Sequence, residues 1–351
     1  KAISLSTEFP NDFHFFQGMV WQLEGEYVKA IESYQVFINN AKKKVVEQYE
    51  VLVKKHIQEC TSAPDVLAQK HRIWIDNLAI NSAYDDWSPC LSADGDLLIF
   101  TSNRNNENVK NEIGFYDQDI YYSNLSARNF KTTSSLSELN TVTDDVSGGL
   151  SYDGQRLLIY KEEDGNTDVF ESKLNGKYWG KVNRKLGEKL KGGNTEKDET
   201  FASFDPPDVK VYYITDGGYS GTTDIYFSGV MNRERNIWGQ GQSAGVVNTK
   251  FQEGSVYIHP DARTMYFSSK GHNSLGGYDI FVSYVDDLGH WDKPINLGYP
   301  INTPYDDLFY SANASGRYAY IASNRAGGKG GLDIYKVTYW GADKIMTSDS
   351  E

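Results

Sequence analysis

The chain has 351 residues, with 35 Lys and Arg against 48 Asp and Glu and a net charge of −13. Phosphate recognition needs clustered Lys and Arg, so this excess of acid excludes a nucleic-acid groove as the organising feature. Its 25 Tyr and 32 Gly suit a β-rich fold with many turns, and no apolar run reaches the ~18 residues of a membrane span.

The chain begins at Lys1 rather than Met and carries no secretory signal, which reads as a piece of a longer or processed protein. Residues 1–62 read as a helical segment. In "FQGMVWQLEGEYVKAIESYQVFI", Gly18, Trp21, Gly25, Tyr27, Ala30, Ile31, Tyr34 and Phe37 recur on common faces. Small residues at Gly18 and Ala30 let two helices approach closely, and Gly25 marks the turn between them. Val45, Tyr49, Leu52, Val53 and Ile57 form the apolar stripe of a further helix. One such unit cannot bury its own apolar face, so it is expected to pack on the next domain. Residues 60–70, with Pro64, read as a linker. Cys60 and Cys90 read as two unpaired thiols.

From Arg72 the pattern changes to period two, and a repeat emerges. Asp119-Ile120-Tyr121, Asp168-Val169-Phe170, Asp224-Ile225-Tyr226, Asp279-Ile280-Phe281 and Asp333-Ile334-Tyr335 follow one another at intervals of 49, 56, 55 and 54 residues. A fixed period of this size means an array of similar units. Each unit has four strand candidates. One follows an acidic residue, as in "YDDWSPCLS". A second is strongly apolar, as in "LLIFTS". The triplet is the third, and a fourth lies near an aromatic and ends in Asn. Four short antiparallel strands repeated radially make a propeller. The fold class is therefore mainly β: a five-bladed β-propeller over residues 71–340, preceded by the short α-helical segment. No fourth strand follows Asp333, yet "HRIWIDNLAIN" at 71–81 matches "HWDKPINLGYPIN" at 290–302. Residues 72–76 are expected to supply the missing strand and close the ring.

Asp86, Asp145, Glu199, Glu253 and Asp307 hold the same place in all five units. In a closed propeller they form a carboxylate ring near one channel mouth, a candidate recognition surface. A glycosidase would use two such acids in unlike environments. Repetition in every blade favours architecture, with backbone amides and Arg104 and Arg325 of the repeated "SNR" as partners that keep the acids ionised. The triplet aspartates are expected to bind the amides of their own turns. The six histidines do not cluster at metal-ligand spacing. "GGKGG" at 327–331 reads as a hairpin loop, because no helix comes after it to aim its amides at an anion. The residues point to no metal, no cofactor and no catalytic set.

"YDDWSPCLSADGDLLIFTSNR" and "YDDLFYSANASGRYAYIASNRAGGKGGLDIYKV" resemble WD-like propeller repeats of the TolB type. Joined to a tetratricopeptide-like segment, they resemble PorE-like periplasmic proteins of the Bacteroidota, components of the type IX secretion system. The resemblance implies a non-enzymatic interaction scaffold, periplasmic and outer-membrane-associated, whose partners are other envelope or secretion-system proteins. It also implies that residues 341–351 lead toward a carboxypeptidase-regulatory-like domain and an OmpA-type domain, so peptidoglycan is met only through domains beyond this sequence. A glycan hydrolase using the channel carboxylates and a TolB-like peptide receptor at the channel mouth are the alternatives.

Overall fold

The computed structural model describes residues 10–69, 71–104, 116–126, 129–163, 165–182, 197–206, 208–218 and 220–340. The tail at 341–351 and the first nine residues of the helical segment lie outside them. Three helices come first: α1 (Phe13–Leu23), α2 (Tyr27–Asn40) and α3 (Lys43–Leu67). Gly25, at φ 74°, makes the turn between α1 and α2. Gly18 lies against the Tyr34 ring with no room for a Cβ, so the two helices close over Phe15, Ala30, Tyr34 and Phe37. The linker expected at 60–70 is corrected: α3 runs on through Pro64 to Leu67. Its C-terminal turns bury Cys60, Ala63 and Val66, and that burial outweighs the helix-breaking tendency of Pro64. Cys60 and Cys90 are both unpaired and buried, and burial pushes each thiol up to about 12. No described helix is long and apolar enough to cross a membrane.

The rest is a five-bladed propeller of antiparallel sheets. The innermost strands are Asp86–Leu91, Asp145–Leu150, Glu199–Phe204, Glu253–Ile258 and Asp307–Ala312. Each pairs with an apolar strand that is covered on both faces by neighbouring blades. All six residues of Thr264–Ser269 are buried, for example. Strands covered on both sides read as continuous apolar runs rather than alternating ones. The core is therefore a ring of layers between blades. Met265, Phe267 and Phe281 of blade four meet Tyr212, Ile214 and Ile225 of blade three. Tyr266, Ile280 and Val282 meet Ile321, Tyr335 and Val337 of blade five.

The outer strands differ from the sequence reading in one respect. The aromatic segments, such as Ile237–Trp238, prolong the third strand as a hairpin. In blades one, three and four the strand that lies opposite the triplet comes later and is only two residues long: Ser134–Ser135, Gln242–Ser243 and Ile295–Asn296. The Asn beyond it has a defined task. Asn302 Oδ1 accepts from the Ile280 amide and its Nδ2 donates to the Ile280 carbonyl, both at 2.8 Å. Asn140 with Ile120, Asn248 with Ile225 and Asn81 with Ile334 repeat this clamp. It satisfies backbone groups at the start of the third strand that the outer strand does not reach.

Asp224, Asp279 and Asp333 of the triplets bind their own turns. Asp279 Oδ2 accepts from the Leu275 amide at 2.9 Å and Asp333 Oδ2 from the Lys329 amide at 2.5 Å. Ring closure involves Ile73–Asn77, which pairs antiparallel with Asp333–Tyr339, Ile75 lying opposite Val337. Leu78 and Ile80 then pack between blades five and one. Deleting residues 71–81 should therefore unfold the propeller as a whole rather than fray one blade. The expected loss in melting temperature is about 10 °C or more, at roughly 2–4 °C per kcal/mol for a domain of this size; an unchanged melt would show that the ring does not need this strand.

Candidate functional site

The five ring acids lie where the repeat puts them, at the start of each innermost strand, and all five are fully buried. Four of them, Asp86, Asp145, Glu253 and Asp307, face a turn rather than a mouth. Asp307 Oδ2 accepts from the Thr303 amide and hydroxyl at 2.6 and 2.8 Å, and Asp86 and Asp145 bind Ser82 and Thr141 in the same way. Glu253 Oε1 accepts from Thr249 N and Oγ1 at 3.2 and 2.9 Å. Glu199 accepts from Thr215 Oγ1 at 3.3 Å; its own turn lies outside the described residues.

Two solutions to the buried charge coexist. In blades one and five, Arg104 and Arg325 reach Asp86 and Asp307 and also bind the carbonyls of Ile80 and Ile301. Blades three and four put Gly217 and Gly271 where those arginines stand. There the acid is Glu, whose longer side chain reaches the hydroxyls of Thr215 and Ser269. Hydroxyls compensate burial less well than a guanidinium. Burial pushes Glu253 up to about 8 and raises Asp145, and it also raises Asp307, where the Arg325 charge and hydrogen bonds offset it only in part. The expectation that the whole ring is held ionised is thus corrected for Glu253, which keeps its proton at neutral pH.

The channel itself is plugged. Trp87, Phe201 and Phe309 of blades one, three and five pack together with centroids 4.9–6.0 Å apart. Phe201 and Phe309 sit at φ 45° and 61°, in bulges that turn their rings inward. The sequence did carry a signal for this plug, an aromatic one or two places after the ring acid. Beside it, a cavity of about 960 Å³ opens between blades one and two, bounded by Trp87, Thr141, Asp144, Tyr160 and Lys161.

A second site was not legible in the sequence. The loop at 274–276 of blade four docks on α3 around Glu59, which is buried. Glu59 Oε2 accepts from Gln22 Nε2 at 2.8 Å and bonds His56 Nδ1 at 2.9 Å. Its Oε1 accepts from Ser274 Oγ at 2.8 Å and pairs with Lys55. Gln22 also donates to the Leu275 carbonyl at 3.0 Å, and Leu275 packs on Ala63 and Val66. Burial opposes the charge on Glu59, but the His56 hydrogen bond and the Lys55 charge outweigh it and hold its pKa below the ordinary carboxylate value.

Beside this joint runs an apolar groove of about 840 Å³. One wall is helical: Phe15, Phe16, Met19 and Leu23 of α1, with Tyr49 and Leu52 of α3. The other wall is propeller: residues 250–252, 276–277 and 304–306. Phe16 is 48% exposed and Leu52 45%, so the groove is open along its length. Its size falls within the usual range for ligand sites, about 300–1,000 Å³.

No family model matches the chain, and no curated protein is similar to it by sequence. Among solved structures, a putative TolB from Agrobacterium tumefaciens aligns with 16% identity and a TM-score of 0.44, covering 78% of this chain and 100% of that one. TolB from Acinetobacter baumannii aligns with 14% identity and a TM-score of 0.43 over 74% of this chain, which spans 56% of that protein. A glycosyl hydrolase from Bacteroides ovatus gives 10% identity and a TM-score of 0.44, over 72% of this chain and 84% of that one.

Two outcomes are expected. Glu253 titrates higher when folded than the ordinary 4.5, so the folded state holds a proton that the unfolded chain releases between about pH 4.5 and about pH 8. Stability should fall as pH rises through that window, by at most about 1.4 kcal/mol per pH unit. Urea midpoints from pH 5 to 8 should show this slope in the native protein and its loss in Glu253→Gln. Lys55→Met should cost about 3–5 kcal/mol by leaving Glu59 buried without its cation, again read from urea unfolding; a loss under about 1 kcal/mol would remove the joint from the stability of the chain.

Proposed function

We propose that this chain is a non-enzymatic protein-interaction scaffold whose docking surface is the groove between the helices and the propeller. The observation that carries the reading is an open, aromatic-lined trough between two rigid walls, the composition that marks the buried centres of protein interfaces. The sealing of the ring acids supports the non-enzymatic part. A retaining or inverting hydrolase needs two acids in reach of substrate, and these five are buried, four of them bonded to their own turns.

The finer placement rests on the sequence resemblance. We place the chain in the bacterial periplasm, associated with the outer membrane, in a type IX secretion assembly. Its partners there are other envelope or secretion-system proteins. A second reading, a peptide receptor at the channel mouth, draws on the cavity of about 960 Å³ beside Trp87 and Tyr160.

A photo-reactive residue at Leu52 should cross-link an envelope protein in cells, whereas one at Val142, exposed beside the channel mouth, should not. Cross-linking from Val142 alone would favour the receptor at the mouth. Turnover of a glycan by the native protein, abolished in Glu253→Gln, would overturn the scaffold.

A further inference from the structure

The groove has a charge character that the chain as a whole does not. Net charge is −13, yet two of its rim residues, Lys250 and Lys270, are cations with no carboxylate partner among the described residues. Both heads are held by aromatic faces. Lys250 Nζ lies 5.3 Å from the Phe251 ring centre, and Lys270 Nζ lies 4.5 Å from that of Tyr278 and donates to Gln252 Oε1 at 3.1 Å. A cation over an aromatic ring is oriented without being neutralised. Lys55 is different: its charge is spent on Glu59 inside the joint. The single rim acid, Asp306, is occupied in accepting from the Tyr278 amide at 3.0 Å and from Asn324 Nδ2 at 3.2 Å.

The apolar surface is arranged along the helical wall. Phe16, Met19 and Leu23 are spaced by three and four residues on α1, and Leu52 adds to them from α3. Phe16, Leu23 and Leu52 are each more than a third exposed. This is one continuous apolar strip with the two lysines on the facing propeller wall. Because the strip opens to solvent along its length, it suits a peptide laid in from the side. An acyl chain is better served by an enclosed tunnel.

We infer that the groove binds a partner's amphipathic peptide segment that pairs large apolar side chains with Asp or Glu, the apolar residues facing α1 and α3 and the carboxylates facing Lys250 and Lys270. This deepens the docking reading above and rests on it. Electrostatic complementarity of this kind selects partners and speeds encounter more than it adds affinity.

The test is selection of short random peptides displayed on phage against the whole chain. Enriched sequences should combine Phe, Trp or Leu with Asp or Glu. Their binding, measured with the synthetic peptides, should weaken on adding salt. It should fall at least about tenfold in Lys250→Glu/Lys270→Glu, a difference of about 1.4 kcal/mol. It should also be lost in Leu52→Glu, with circular dichroism unchanged; Phe16→Glu serves if Leu52→Glu does not fold. Selected peptides that need Leu52 but carry no acidic bias, or that ignore the lysine changes, would overturn the charge assignment while leaving the docking groove in place. Peptides indifferent to Leu52→Glu and Phe16→Glu would overturn the groove itself. Saturable binding of oleate, lost in Leu52→Glu and with no peptide enriched, would overturn the peptide in favour of a lipid.

Discussion

The antiparallel pairing of Ile73–Asn77 with Asp333–Tyr339 is the constraint on which the rest of this structure depends. A radial array of blades has two ends, and each would expose a row of unpaired backbone groups. Lending the first strand to the last blade removes both at once. It also fixes where the helices go. α3 ends at Leu67, only a few residues before Ile73, so its C-terminal turns must lie close to the fifth blade and its neighbour. There Val66 and Ala63 meet Leu275. The joint at Glu59 is the consequence, and the groove is the space left between the helical wall and the propeller once that joint is made.

The five ring acids show how one position is kept while its chemistry changes. All five are buried, and Asp86, Asp145, Glu253 and Asp307 tie the start of an innermost strand to the turn before it. Where an Arg is available, as at Asp86 and Asp307, the charge is met directly. In blades three and four a Gly takes the place of that Arg, and the longer Glu reaches the hydroxyls of Thr215 and Ser269. The cost is visible in Glu253, which burial moves to about 8. A raised carboxyl pKa is often read as a sign of catalysis. Here it comes from burial at an architectural position, and the aromatic plug of Trp87, Phe201 and Phe309 fills the channel in front of it.

The buried charges at the joint work differently. Glu59 takes four partners on its two oxygens, from α1, from α3 and from the propeller loop. Such a cluster specifies one docking angle, since any slip would leave a buried carboxylate short of donors. A groove held between walls set this firmly keeps its shape without a partner, which lowers the ordering cost of binding.

The sequence by itself determined the propeller, because its causes are local and repeated. Asp-Ile-aromatic triplets, apolar runs such as "LLIF" and "YAYI", and turn residues before each acid recur at a fixed period, and repetition turns weak signals into a strong one. The match between 71–81 and 290–302 even showed how the ring closes. Local reasoning failed at Pro64, where tertiary burial of Ala63 and Val66 carries the helix past a nominal breaker. It also failed for Glu59, Lys55 and Gln22. These read as ordinary polar residues of a helix surface, and nothing at their own spacing shows that Ser274, Leu275 and Gly276 will be pressed against them. Residues more than two hundred positions apart define that joint and the groove beside it. Only the closed ring brings them together, so only the tertiary structure could decide where this chain offers a surface to something else.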